Sequence, residues 1–191
     1  MTVNNVLSNH QVFSTLNHTQ VETILQAGSS MNFKKDEVIT HAGDVWPYLF
    51  IVMSGSVMAV KESSEGRSLI AEHFNTGDLF WGLAFFQDNA PMPASLVAHK
   101  ASRLYLWSLS QLKPFILANG PFSWELSRLM VTRLLRASEI LEEIAFQPVA
   151  GRLARLLINL YQQENNPHIE RGLTLDEMAA RINSTRQMVC R

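Results

Sequence analysis

"YLFIVMSGSVMAV", Tyr48–Val60, decides how this chain is read. Its first six residues, "YLFIVM", form the longest apolar run that reads as a core segment. A run of that length suits a buried strand and falls far short of the ~20 residues needed to cross a bilayer. Gly55 breaks the run and a second apolar stretch follows at once. The same punctuation recurs on both sides. Gly43, Gly55, Gly66 and Gly77 stand 11–12 residues apart, between short runs rich in Val, Ile, Phe and Thr. Turn glycines at that spacing predict an all-β barrel or sandwich over residues 30–107.

On either side of this block the periodicity becomes helical. In "QVFSTLNHTQVETILQAG", Val12, Phe13 and Leu16 make one short stripe, and Val21, Ile24 and Leu25 another. "GLAFFQD", Gly82–Asp88, reads as one helical turn inside the β-region. "SLSQLKPFILANG", 108–120, reads as a helix ending on Asn119-Gly120. A long helix follows, with Pro121 in its first turn and Pro148 as its stop. Within it Leu126, Met130, Arg133, Ala137, Ile140 and Ile144 step by 4, 3, 4, 3, 4, a heptad seam. A second stripe, Val131, Leu134, Leu135, Leu141 and Ala145, lies beside the first.

A helix apolar on two faces needs two partners: its own β-domain and a second copy of the chain. The expected dimer interface is Leu126, Met130, Ala137, Ile140 and Ile144. The competing reading is a helix buried within one monomer, and Arg133 in the seam speaks for it.

Composition narrows the function classes. The chain has 191 residues, 47% of them apolar, enough to bury a core in one large domain or two small ones. The net charge of −1 does not by itself suggest a nucleic-acid partner. Residues 121–191 nevertheless carry nine arginines against eight acids, and no lysine. Arginine is the better side chain for bidentate contact with phosphate and base edges. The single cysteine, Cys190, excludes an intrachain disulfide and a four-cysteine metal site. "MTVNNVLSNHQVF" lacks the basic start and apolar run of a signal peptide, so a soluble cytoplasmic protein with no membrane partner is expected.

After "VAGRLARLLINLYQQ", another amphipathic helix, and the polar loop "ENNPHIERG", the chain takes helix-turn-helix spacing. Thr174-x-x-Glu177 is a capping box. Ala179 is small where two helices must approach, and Asn183 falls in the turn. Met178, Ile182 and Val189 supply apolar contacts, and Ser184 is expected to cap the second helix. In such a pair the second helix lies in the DNA major groove with its first residues on base edges. Arg186 and Arg191 stand on one side of it, five residues apart being about 1.4 turns. An ordinary helical hairpin is the alternative. Ser184-x-x-Gln187 also reads as a capping box that would occupy Gln187 with the backbone.

Taken in order, the glycine-punctuated roll "GD…YLFIVMSGSVMAV…GRSLIAEHFNTGDLF", the heptad helix, "FQPVAGRLARLLINL" and "LTLDEMAARINSTRQMVCR" closely resemble the Crp/Fnr family of bacterial transcription regulators. The resemblance covers essentially the whole chain and is most specific at the C-terminal end. It implies an α+β protein. An N-terminal β-roll, jelly-roll-like and similar to a cyclic-nucleotide-binding domain, carries flanking helices over 1–120. A dimerisation helix spans 121–147, and a winged helix-turn-helix spans 148–191. The family chain usually continues through the rest of the recognition helix and a wing, so a truncated domain is expected here. The implied partners are a palindromic double-stranded DNA operator and a second copy of the chain, with RNA polymerase as a further candidate. Thr185, Arg186, Gln187 and Arg191 are the expected DNA contacts, Arg186, Gln187 and Arg191 matching the family's Arg-Glu-x-x-x-Arg-like pattern.

The same resemblance locates an effector pocket and argues against cyclic AMP in it. Members that bind cyclic AMP hold its phosphate with a Gly-Glu step and an Arg-Ser/Thr-Ala step, because a buried phosphate needs a cation and aligned donors. Here Leu83 fills the glutamate position and Met92 the arginine position. Ala137 replaces a family threonine on the long helix, although Ser138 remains. The remaining lining, Phe80, Trp81, Leu83, Phe85, Phe86 and Met92, is apolar and aromatic. It reads as ordinary core or as a site for an apolar or haem-like ligand, with His41, His73 and His99 the conceivable haem ligands. No cofactor is predicted. An effector-binding module without a DNA role is the alternative function. Metal-dependent enzymes with rolls of related shape need a His-x-His pair, which this sequence lacks, so no metal, no catalytic residue and no enzyme are expected.

Overall fold

The computed structural model describes residues 3–62, 68–164, 173–182 and 184–190. Two compact units emerge: Met1–Lys61 with Ala71–Val131, and Glu62–Ile70 with Thr132–Arg191.

The first unit is layered by the alternation of its strands. One sheet has the order β1-β8-β3-β6, from β1 (Ser29–Phe33), β8 (Ser102–Ser108), β3 (Tyr48–Ser54) and β6 (Leu79–Trp81). The other has the order β2-β7-β4-β5, from β2 (Val38–Thr40), β7 (Ser95–Ala98), β4 (Ser56–Glu62) and β5 (Ser68–Asn75). β3 is antiparallel to both neighbours, so its backbone is fully paired. Its side chains alternate between two cores, as a pleated strand requires. Leu49, Ile51 and Met53 enter a cluster with Leu7, Phe13, Ile24, Leu112, Phe122 and Leu126. Phe50 and Val52 enter a second cluster with Val57, Phe74, Met92, Leu96 and Leu104. The longest apolar run is apolar at every position because both faces of its strand are covered.

The first cluster is supplied by helices: α1 (Val3–Asn9), a 3-10 turn (Gln11–Phe13), α2 (His18–Ala27), α3 (Leu109–Ala118) and the start of α4 (Gly120–Phe146). Capping boxes at Asn17/Gln20 and Ser108/Gln111 open α2 and α3. Two aromatic side chains tie sheet to helix. The Trp107 indole N–H donates to the Ile24 carbonyl at 2.8 Å, and the Tyr105 hydroxyl donates to the Leu25 carbonyl. Gly28 leaves the room: a Cβ there would stand 2.3 Å from the Tyr105 ring and 2.7 Å from the Trp107 indole nitrogen. Burial pushes the Tyr105 phenol above its ordinary value. The stability tied to its proton is therefore complete through neutral pH and is lost as pH rises through the folded value.

Gly43, Gly55 and Gly77 have φ of +92°, +83° and +96°, so the punctuation seen in the sequence is a set of left-handed turns. Gly66 lies outside the described residues. The "GLAFFQD" turn is a 3-10 turn, Leu83–Phe85.

The long helix runs Gly120–Phe146 and α5 (Val149–Glu164) follows directly, with the break at Pro148 as the sequence requires. The structure corrects the assignment of its two stripes. Leu126, placed in the dimer seam, is 2% exposed and belongs to the core of its own unit. Met130, Arg133 and Ile140 are half-buried, and only Ala137 and Ile144 of that seam are exposed. The neighbouring stripe is the bare one: Val131, Leu134, Leu135, Leu141 and Ala145 are all exposed. Seven-residue repeats alone cannot say which of two apolar faces the rest of the chain claims.

Candidate nucleic-acid interface and effector pocket

Three helices in the second unit build the candidate reading head. α6 (Leu175–Arg181) and α7 (Arg186–Val189) pack on each other and on α5. Thr174 and Glu177 form the expected capping box: Thr174 Oγ1 accepts from the Glu177 N–H, and the Glu177 carboxylate accepts from the Thr174 N–H at 2.7 Å. Ala179 and Ile182 are buried, while Met178 and Val189 are half-buried. These are the apolar positions the sequence assigned to the contact between the helices.

The second cap falls one residue later than the sequence suggested. Thr185, not Ser184, caps α7, its side chain accepting from the Met188 N–H. Ser184 instead closes the turn through its own N–H, donated to the Ala179 carbonyl at 2.9 Å. A Ser184/Gln187 capping box therefore does not form. Thr185, Arg186 and Gln187, three of the four residues expected to contact DNA, are each exposed at the start of α7. The fourth, Arg191, lies outside the described residues, as does Asn183.

One contact here was not foreseen. Arg186 Nη1 donates to Asp176 Oδ2 at 3.2 Å, joining the first residue of α7 to the first turn of α6. Partial burial pulls Arg181 below the ordinary arginine value, and Glu177 opposes that shift.

The proposed effector residues of the first unit divide between its two core clusters. β6 alternates, sending Phe80 to the second cluster and Trp81 to the first. Phe85 belongs to the first cluster and Met92 to the second, while Leu83 and Phe86 are exposed. Ala137 and Ser138 are exposed on α4. The second cluster carries aromatic rings that are partly unforeseen: Phe50 and Phe74 within it, and Trp46 and Phe80 packed against it. Ring centroids stand 5.6 Å apart for Trp46–Phe50, 6.1 Å for Phe50–Phe74 and 4.3 Å for Phe74–Phe80. Gly82 admits no side chain in its present conformation, since a Cβ there would lie 1.9 Å from the Trp46 carbonyl oxygen. Among the described residues the buried polar side chains are Thr40, Ser56, Ser102 and Asn119, none of them charged. A cleft of about 380 Å³ opens elsewhere, between α1 and the turn before β6, lined by Asn5, Val6, Ser8, Asn9, His10, Thr76 and Gly77.

Of the conceivable haem ligands, His41 is exposed, while His73 and His99 meet edge to face with centroids 5.5 Å apart. No sequence spacing could have paired those two, because His73 on β5 and His99 just after β7 come together only in the folded protein, with β4 lying between their strands. Among the described residues no three His, Cys, Asp or Glu side chains gather as a metal site.

The cyclic nucleotide-binding domain family matches residues 30–119, the stretch that holds the two packed sheets. The cAMP-activated global transcriptional regulator CRP of Salmonella typhimurium is 28% identical over 131 residues, 69% of this chain and 62% of that protein. The CRP-like cAMP-activated global transcriptional regulator of Mycobacterium tuberculosis is 23% identical over 189 residues, 96% of this chain and 84% of that protein. Among solved structures, the c-di-GMP-responsive global regulator CLP of Xanthomonas campestris superposes with a TM-score of 0.78 at 20% identity, covering 92% of this chain and 89% of that one. The chain thus spans about 62% of the length of the Salmonella relative. The relatives it matches are named as transcriptional regulators. No helix among the described residues is long and apolar enough to cross a membrane.

Proposed function

We propose that the protein is a homodimeric transcription regulator that binds a palindromic operator through α7 and does not respond to cyclic AMP. The roll over 1–120 is its sensor-like module, the helix over 121–147 its dimerisation element, and residues 148–191 its DNA-reading part. The observation that supports this reading is the exposure of Thr185, Arg186 and Gln187. They are exposed at the start of α7 while Ala179 and Ile182 behind them are buried. The Thr185 hydroxyl accepts from the backbone yet keeps its own hydrogen to donate to a phosphate. Arg186, and Arg191 beyond it, suit the paired acceptors of guanine. RNA polymerase remains a candidate partner on family grounds.

Gln187 supplies the test of the reading head. Glutamine offers a donor and an acceptor, the pattern adenine matches, whereas glutamate accepts from cytosine. With the cap assigned to Thr185, Gln187 is not needed by the backbone. Gln187→Glu is expected to move preference at one base pair of each half-site from A·T toward C·G, by about 1–3 kcal/mol. Selection from randomised DNA checks this, and an unchanged consensus would remove Gln187 from the reading head.

The apolar second cluster supports the second half of the proposal. Met92 offers no cation, Phe50 and Phe74 are buried beside it, and Trp46 and Phe80 pack against them. Desolvating a cyclic phosphate there without a counter-charge costs several kcal/mol. Calorimetric titration with cyclic AMP is expected to show no saturable heat, and micromolar affinity would overturn this part.

A further inference from the structure

We propose that Asp176 is a positioning residue for Arg186, trading general affinity for DNA against discrimination between bases. This rests on the reading of α7 as the DNA-contacting helix. Among the described residues the α6–α7 pair carries two acids, Asp176 and Glu177, and they have different employment. Glu177 is committed to the cap of α6, accepting from the N–H and the hydroxyl of Thr174 at 2.7 and 2.9 Å. Asp176 reaches across ten residues of sequence to Arg186 Nη1 at 3.2 Å.

The pair is an orienting device more than a brace. Both side chains are open to water, 63% exposed for Arg186 and 69% for Asp176, and an ion pair so exposed adds little to folding. It does restrict where the guanidinium points. Arg186 is the first residue of α7, the position whose side chain extends farthest toward a groove floor. One hydrogen on Nη1 is engaged by Asp176, which leaves four N–H groups of the planar fork. Those include the Nε–H and Nη2–H pair that matches the O6 and N7 acceptors of guanine. A guanidinium held in one orientation before contact loses less freedom on binding, and it fits a wrong base poorly.

The carboxylate also has a sequence-independent effect. It places a negative charge beside the phosphates, cancelling part of the attraction that any DNA exerts on Arg186. Removing that charge should strengthen binding to every sequence while blurring the choice among them.

The test compares the wild-type protein, Asp176→Asn, Arg186→Ala and the double variant, on the selected operator and on operators altered at the guanine assigned to Arg186. Asp176→Asn keeps size and helix preference, and its melting curve should overlay that of the wild type. It is expected to bind random DNA several-fold more tightly, to steepen the salt dependence by about one phosphate equivalent, and to lose about tenfold in discrimination at that guanine. In the Arg186→Ala background it should cause no further loss of discrimination, because the effect acts through the arginine. An unchanged ratio in Asp176→Asn, or an equal loss in both backgrounds, overturns the positioning role and leaves the α7 reading standing. A wild-type protein with no sequence preference overturns both.

Discussion

Leu134→Glu is expected to turn a dimer into a monomer at micromolar concentration. The physical basis is a stripe on α4 that the monomer leaves open. Trp124, Ser127, Val131, Leu134, Ser138, Leu141 and Ala145 step by 3, 4, 3, 4, 3, 4, and every one is exposed. Leu134 is 70% exposed, Leu141 67% and Trp124 67%. A two-fold axis presents each substitution twice, so the interface loses two leucines and gains two facing carboxylates. Lost burial alone amounts to about 1.5–3 kcal/mol for each leucine. Association should weaken by roughly a hundredfold to ten-thousandfold, before repulsion is counted. Because Leu134 is open in the monomer, the helix itself should persist, and circular dichroism checks this. Sedimentation velocity reads the outcome. Ile140→Glu is the contrasting variant, since Ile140 is half-buried. If Ile140→Glu dissociates the dimer and Leu134→Glu does not, the seam is the first stripe after all. A monomeric wild type would remove the dimer altogether.

The second large effect is expected in the roll. Trp107→Ala should cost about 3–5 kcal/mol, a large share of the ~5–15 kcal/mol that holds a typical domain. Trp107 is fully buried, with Phe13 and Tyr105 ring centroids at 5.8 and 5.1 Å. Its N–H also satisfies the Ile24 carbonyl on α2, so alanine leaves a cavity and an orphaned acceptor together. Trp107→Phe retains most of the ring volume and should lose much less. Urea unfolding followed by tyrosine or remaining tryptophan fluorescence measures both. A cost below about 1 kcal/mol for the alanine variant would mean that α2 is not anchored to β8 through this side chain.

Much of the candidate site was legible because it is local. The Thr174/Glu177 box, the small Ala179 and the buried Ile182 lie within nine residues, where side-chain chemistry acts directly on the neighbouring backbone. The misplacement of the α7 cap has a local cause too. Ser184 and Thr185 are adjacent residues of equal capping ability, and the choice was made by the turn, which spends the Ser184 N–H on Ala179. The surroundings of the effector residues were less legible. Neighbours such as Phe80 and Trp81 look alike in a sequence, yet adjacent strand residues face opposite cores. Trp46 and Phe74 were not foreseen in the roll interior, because only the meeting of the two sheets sets them against Phe50 and Phe80.

By itself the sequence determined the elements and their order. Glycine spacing set the turns of the roll, short apolar runs and heptad steps set strand and helix, and Pro148 separated α4 from α5. Those are properties of short segments, governed by backbone sterics and by the geometry of single elements. The tertiary structure alone decided which face of α4 joins the core with Leu7, Phe13 and Leu112 and which stripe is left bare. It alone brought Asp176 to Arg186 and His73 to His99. Burial and pairing across a fold depend on where distant segments arrive, and an amphipathic repeat carries no information about which apolar face meets its partner first.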